Sequence, residues 1–159
     1  MGALNLPKFG KTIDDLRKVV ESYMQNEVDG DDFKDSKEQG FEDAVREKLE
    51  SEHFTVFGKH NVRNTEKLLE EKLFAEDVEG MIPDIAVVLG DKVALLELKY
   101  HNRITLYDQD EDKIKKYLPR EKCIASGVLF LDYQYHAGWE LCQKNKKTKY
   151  YYFWKLLGK

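Results

Sequence analysis

Apolar residues recur at helical spacing from about Thr12 to Glu27, where Ile13, Leu16, Val20 and Met24 share one face, and predict an amphipathic helix. The stretch from Asp29 to Asp35 is acidic, contains a glycine and reads as a loop. A second helix is predicted from about Ser36 to Glu52, with Ser36 at the N-cap position. Phe41, Val45 and Leu49 form its apolar stripe, Glu42 lies beside that stripe, and Gly40 weakens its early part. His53 to Gly58 reads as a first strand, and the highly charged Asn64 to Phe74 as helical or irregular. Two β-rich runs, Met81 to Leu89 and Lys92 to Tyr100, flank Gly90-Asp91 and predict a hairpin with a two-residue loop. Asp108 to Leu118 reads as a helix stopped by Pro119, and Ile124 to Tyr133 as a buried strand. Thr148 to Leu157, dense in aromatics, closes the chain as a strand or a helix.

The hairpin carries the most information. A Gly-Asp loop pairs Leu89 with Lys92, so paired residue numbers sum to 181 and Asp84 falls opposite Glu97. Opposed side chains lie about 5 Å apart, and two like charges there repel. A hard cation held by both carboxylates would remove the penalty. The alternative is an exposed ion pair just beyond the core. Val93, Leu95, Glu97 and Lys99 share one face with Ala86 and Val88, and Ala94, Leu96, Leu98 and Ile85 share the other. Both faces are mostly apolar, so the hairpin is expected to be central and covered on both sides. The order helix, strand, hairpin, helix, strand predicts an α/β fold: a single-domain α/β sandwich with a central mixed β-sheet flanked by helices.

Pro83-Asp84, followed after a gap by Glu97-Leu98-Lys99, resembles the PD-(D/E)xK nuclease superfamily, whose fold is called restriction-endonuclease-like. The Pro-Asp pair sits where that pattern has it, the Glu-x-Lys ends an apolar strand, and a tight hairpin joins the two. An upstream helix carries a glutamate, and the likeness in element order runs from about Gly40 to Asp132. The resemblance implies a metal-dependent nuclease acting on phosphodiester bonds, with DNA as substrate, endonucleolytic cutting and Mg²⁺ as cofactor. Mn²⁺ is expected to substitute. It makes Asp84 and Glu97 metal ligands, with the backbone carbonyl of Leu98 as a third. Lys99 would position the attacking water and stabilise the transition-state phosphate. Glu42 would complete the acidic set, and Glu38, one turn earlier, could take its place. Some branches of the superfamily carry Gln and Tyr in the next helix, and Gln109 near Tyr117 is a departure in spacing from that pattern. His101, two residues after Lys99, is a further candidate for phosphate contact or acid–base chemistry.

At 159 residues the chain fits one domain, 1–159, with a helical N-terminal extension at about 1–35 and a core large enough to need no staples. No apolar run approaches the ~20 residues of a membrane span, and the N-terminus lacks the pattern of a signal peptide. Cys123 and Cys142 lack metal-site spacing, so reduced thiols in an intracellular, cytoplasmic protein are expected. The net charge of −4 divides unevenly: residues 1–80 carry −8 and residues 81–159 carry +4. After Glu140 there are six lysines and no acid, so the second half suits a polyanion partner. Lys144, Lys146, Lys147 and Lys149 are the candidate phosphate contacts, with Lys113, Lys115 and Lys116 as a competing patch. Cutting both strands of a duplex would favour a homodimer. Two other readings compete: a catalytically inactive nucleic-acid- or protein-binding module of the same fold, and an acidic adaptor whose hairpin charges are surface.

Overall fold

Thr12 starts the first helix with a reciprocal cap, its hydroxyl accepting from the Asp15 amide while the Asp15 carboxylate accepts from the Thr12 amide. The Asp15 carboxyl is held below its usual value, chiefly by that bond from the Thr12 backbone. The computed structural model describes residues 10–58, 83–101, 116, 123–132, 136–143 and 150–156, with the backbone alone at 101, 132, 136 and 150–156. Helix α1 spans Ile13–Ser22 and passes into a π turn, Tyr23–Glu27. The acidic stretch read as a loop contains one 3₁₀ turn, Gly30–Phe33, because the Asp29 carboxylate accepts from the Asp31 amide at 2.9 Å and nucleates it.

Helix α2 spans Lys37–Ser51. Phe41, Val45 and Leu49 are its buried stripe, as the periodicity predicts. It ends in a Schellman motif in which the His53 amide bonds the Glu50 carbonyl and the Phe54 amide bonds the Leu49 carbonyl, both at 3.0 Å. His53 takes the left-handed conformation this motif requires, with φ 71°. Strand β1, expected from His53, is therefore delayed to Val56–Gly58. Ser36 stands at the N-cap position, but its side chain makes no capping hydrogen bond.

Strands β2 (Ile85–Leu89) and β3 (Lys92–His101) form the predicted hairpin in the predicted register, from Leu89↔Lys92 to Ile85↔Leu96. Gly90, with φ 69°, supplies the left-handed residue of the turn. Strand β4 (Cys123–Asp132) runs parallel to β3, and β5 (His136–Gln143) and β6 (Tyr150–Leu156) follow antiparallel. The sheet is mixed, six-stranded and in the order β1-β2-β3-β4-β5-β6, so the hairpin is internal. Of the two ways of reading Thr148 to Leu157, the strand is the one formed. The helix expected at Asp108 to Leu118 lies outside the described residues except for Lys116, which is helical and exposed, and the segment 64–74 lies outside them entirely.

One face of the sheet packs under the helices. Ile85, Val87, Leu96, Leu98, Leu129 and Leu141 share a core cluster with Phe41, Val45 and Leu49. Leu16, Val20 and Met24, from the segment read as an N-terminal extension, enter the same cluster. The other face is buried as well: Ala86, Val93, Leu95, Val128 and Cys142 are all at most 1% exposed. Burial on both sides is what the near-continuous apolar runs of the hairpin require. Both cysteines are free thiols. Among the described residues, no helix is long and apolar enough to cross a membrane.

Candidate metal centre

The last ladder pair of the hairpin is Ile85↔Leu96, so Asp84 stands one step beyond it, level with Glu97. Released from the ladder, Asp84 is also released from strict side-chain alternation. Its Oδ2 accepts the Leu98 amide at 2.7 Å in a buried setting. A short bond from a backbone amide to a carboxylate is charge-assisted and directional. It fixes Asp84 against the backbone of β3, beside the strand face that helix α2 covers.

Helix α2 brings the other acids. Its apolar stripe lies on the sheet, and Phe33, the last residue of the 3₁₀ turn, packs against both Phe41 and Tyr100 of β3 with ring centroids 5.6 and 6.0 Å away. This aromatic trio fixes the start of α2 above β3. Glu38 and Glu42 are four residues apart and so lie above one another on a single helix face. Glu42 is buried and Glu38 half-buried. Oxygens of Glu38, Glu42 and Asp84 all lie within 4.8 Å of one another. Opposite ligands of one cation are separated by twice the ligand distance, about 4–5 Å for the 2.0–2.6 Å bonds of Mg²⁺ and Ca²⁺. The spacing and the all-carboxylate donor set therefore fit one hard divalent cation. From sequence, Glu38 and Glu42 were alternatives for one position; the structure gathers both.

Glu97 is not a member of this three-residue group, although it is only 2% exposed. The reason is alternation: Leu96 and Leu98 point into the core shared with α2, so Glu97 between them points to the opposite face. Lys99, half-buried, follows on that same face. Of Leu98, whose carbonyl was the expected ligand, it is the amide that meets Asp84. Strand β3 continues through His101, whose side chain is not described. Gln109, Lys144, Lys146, Lys147 and Lys149 lie outside the described residues, as do Lys113 and Lys115.

Strand β5 and its Glu140 were not anticipated from the sequence. Register places Glu97, Val128 and Glu140 in one row across β3, β4 and β5. Burial pushes the Glu140 carboxyl up from its usual value, offset in part by the Cys142 thiol, which donates to Oε1 at 3.5 Å. The signal was the alternation of Ala137, Trp139 and Leu141 around polar positions. Comparison with protein-family models, with curated proteins and with solved structures returned no match.

Proposed function

We propose that the protein is a metal-dependent nuclease that hydrolyses phosphodiester bonds in DNA, with Mg²⁺ as its cation and Mn²⁺ as a substitute. The observation that carries this reading is the carboxylate trio Glu38, Glu42 and Asp84, with oxygens within 4.8 Å of one another at the end of the hairpin. The order α2, β1, β2, β3, β4 supports it, because it matches the helix, strand, hairpin and last strand of the core order of the resembled superfamily with its restriction-endonuclease-like fold; the helix that order has before the last strand falls outside the described residues except for Lys116. So does the Pro83-Asp84 and Glu97-Leu98-Lys99 pattern carried on that hairpin.

Asp84, Glu42 and Glu38 would hold the cation; of the further ligands the resemblance implies, Glu97 and the Leu98 carbonyl, Glu97 points to the opposite sheet face. When bound, a divalent cation supplies Lewis acidity at the scissile phosphate and favours ionisation of an attacking water. Asp84 contributes a carboxylate whose position is set by the Leu98 amide. Glu42 brings a second carboxylate from a rigid helix, which keeps reorganisation small when charge develops. The resemblance gives Lys99 a positive charge toward the phosphate oxygens and the attacking water, but alternation puts Lys99 with Glu97 on the sheet face away from the trio. Endonucleolytic cutting of both strands would favour a homodimer.

The test is incubation with supercoiled plasmid, linear duplex and branched DNA in Mg²⁺, Mn²⁺ or EDTA. Cleavage in either metal and none in EDTA is expected, with nicked or linearised plasmid marking an endonuclease. Folded protein that cuts none of these in either metal contradicts the reading. Salt-sensitive DNA binding without cleavage would then favour the inactive binding module.

A further inference from the structure

We infer that Gly40 is a positioning residue for the Glu38 carboxylate. The inference rests on the reading of Glu38, Glu42 and Asp84 as a cation site. Glu38 lies in the first turn of α2, which is where helices fray and where a ligand is hardest to hold in place. The start of this helix is built in an unusual way. Ser36 is right-handed helical at the N-cap position, with φ −84° and ψ −22°. Lys37 then takes φ 55°, a left-handed conformation unfavourable for a residue with a side chain. The backbone thus turns sharply just before one of the carboxylates.

What permits the turn is the missing side chain at Gly40. The Gly40 amide bonds the Ser36 carbonyl at 3.4 Å, and the Ser36 side chain occupies the space a Gly40 Cβ would take. A Cβ on Gly40 would overlap Ser36 Oγ and stand 2.5 Å from Ser36 Cβ. Rotating the hydroxyl removes only the first of these conflicts. The second involves an atom fixed to the backbone, so Ser36 itself must move. It cannot move without carrying Lys37 and Glu38. The third neighbour, Phe33 Cδ1, would lie 3.4 Å from the added carbon and can stay. The Ser36 hydroxyl makes no capping bond, so its place over Gly40 does not serve the helix end. Packing of Ser36 on Gly40 therefore sets where the first turn begins, and through Lys37 it sets where Glu38 points.

Helix propensity alone predicts the opposite sign, since alanine is a better helix former than glycine. The experiment compares Mn²⁺ affinity by calorimetric titration, and folding by thermal melts in EDTA, for the wild type and four variants: Asp84→Ala, Glu38→Gln, Gly40→Ala and the double Ser36→Gly/Gly40→Ala. Displacing a supporting residue typically weakens metal binding by about 10–100-fold. Gly40→Ala is expected to lose at least about tenfold, as Glu38→Gln does. The double variant removes Ser36 Oγ and Cβ, so wild-type affinity returns. Gly40→Ala binding Mn²⁺ like the wild type, while Asp84→Ala does not bind, overturns this inference and leaves the cation site standing. A wild type that binds no Mn²⁺ overturns both. Should Gly40→Ala alone fail to fold, the double variant decides, and a folded double variant with weak binding overturns the inference.

Discussion

The Asp84 carboxylate accepts the Leu98 amide at 2.7 Å while standing within 4.8 Å of two glutamates. Each ionised pair at that separation repels on the order of 3 kcal/mol at an effective dielectric of about 20. Asparagine at this position keeps an acceptor for the amide and removes one charge. Metal-free Asp84→Asn should therefore melt no lower than the wild type in EDTA, yet lose Mn²⁺ binding by calorimetry. A large drop in melting temperature would mean that the charge itself anchors the hairpin. Glu140 has the opposite character, being a single carboxyl at the centre of β5 whose folded value is raised by burial above the ordinary 4.5. Below pH 4.5 it is protonated in both states and contributes no penalty. As pH rises through and beyond that value the unfolded chain releases its proton first, so stability falls. Glu140→Gln should remove this slope, and the melting-temperature gain over wild type should grow from about pH 4 to about pH 7. A constant difference across that range would contradict the assigned burial effect.

At the scale of elements, local rules account for most of what forms. The hairpin was legible because Gly90-Asp91 separates two apolar runs and fixes their register by counting. Helix α2 was legible from Phe41, Val45 and Leu49. Strand β5 was not, because its alternation of Ala137, Trp139 and Leu141 is short, Gly138 weakens it and no strong turn signal precedes it. The Asp84–Glu97 pairing shows another limit. Counting gives the right level along the strands but assumes that Asp84 obeys alternation. A residue just outside the ladder does not, and only the tertiary position of α2 reveals that its carboxylate meets Glu38 and Glu42. The end of α2 carries a residue that local rules disfavour, since His53 holds φ 71° at the position where glycine is usual. His53 is exposed. His53→Gly should stabilise the protein by about 0.5–1 kcal/mol by relieving the left-handed strain. For a chain of this size that raises the melting temperature by roughly 1–4 °C. A lower melting temperature would mean that the imidazole contributes more than the strain costs.

For the whole molecule, the order helix, strand, hairpin, helix, strand read from the chain meets a mixed sheet with β3 and β4 parallel at its centre, the second helix lying outside the described residues except for Lys116. A parallel pair needs a crossover connection of a dozen residues or more, and residues 102–122 are long enough to provide it. The carboxylate group gathers acids from α2 and from the start of the hairpin, two elements far apart in the chain, which is why spacing alone could name its members but not assemble them. Three carboxylates do not attract a polyanion, so the proposed DNA binding would draw on the positive second half of the chain. Replacing Lys144, Lys146, Lys147 and Lys149 with Gln should weaken DNA binding across sequences. It should also flatten the dependence of log affinity on log salt by roughly 0.9 for each duplex phosphate no longer neutralised. An unchanged slope would shift attention to Lys113, Lys115 and Lys116. Whether Glu38, Glu42 and Asp84 together hold one divalent cation is decided by anomalous diffraction from crystals soaked in Mn²⁺. A single strong peak is expected within about 2.0–2.6 Å of oxygens from all three residues, absent in Asp84→Asn crystals treated alike. Well-ordered carboxylates with no peak between them, or a peak bound elsewhere on the chain, would contradict it.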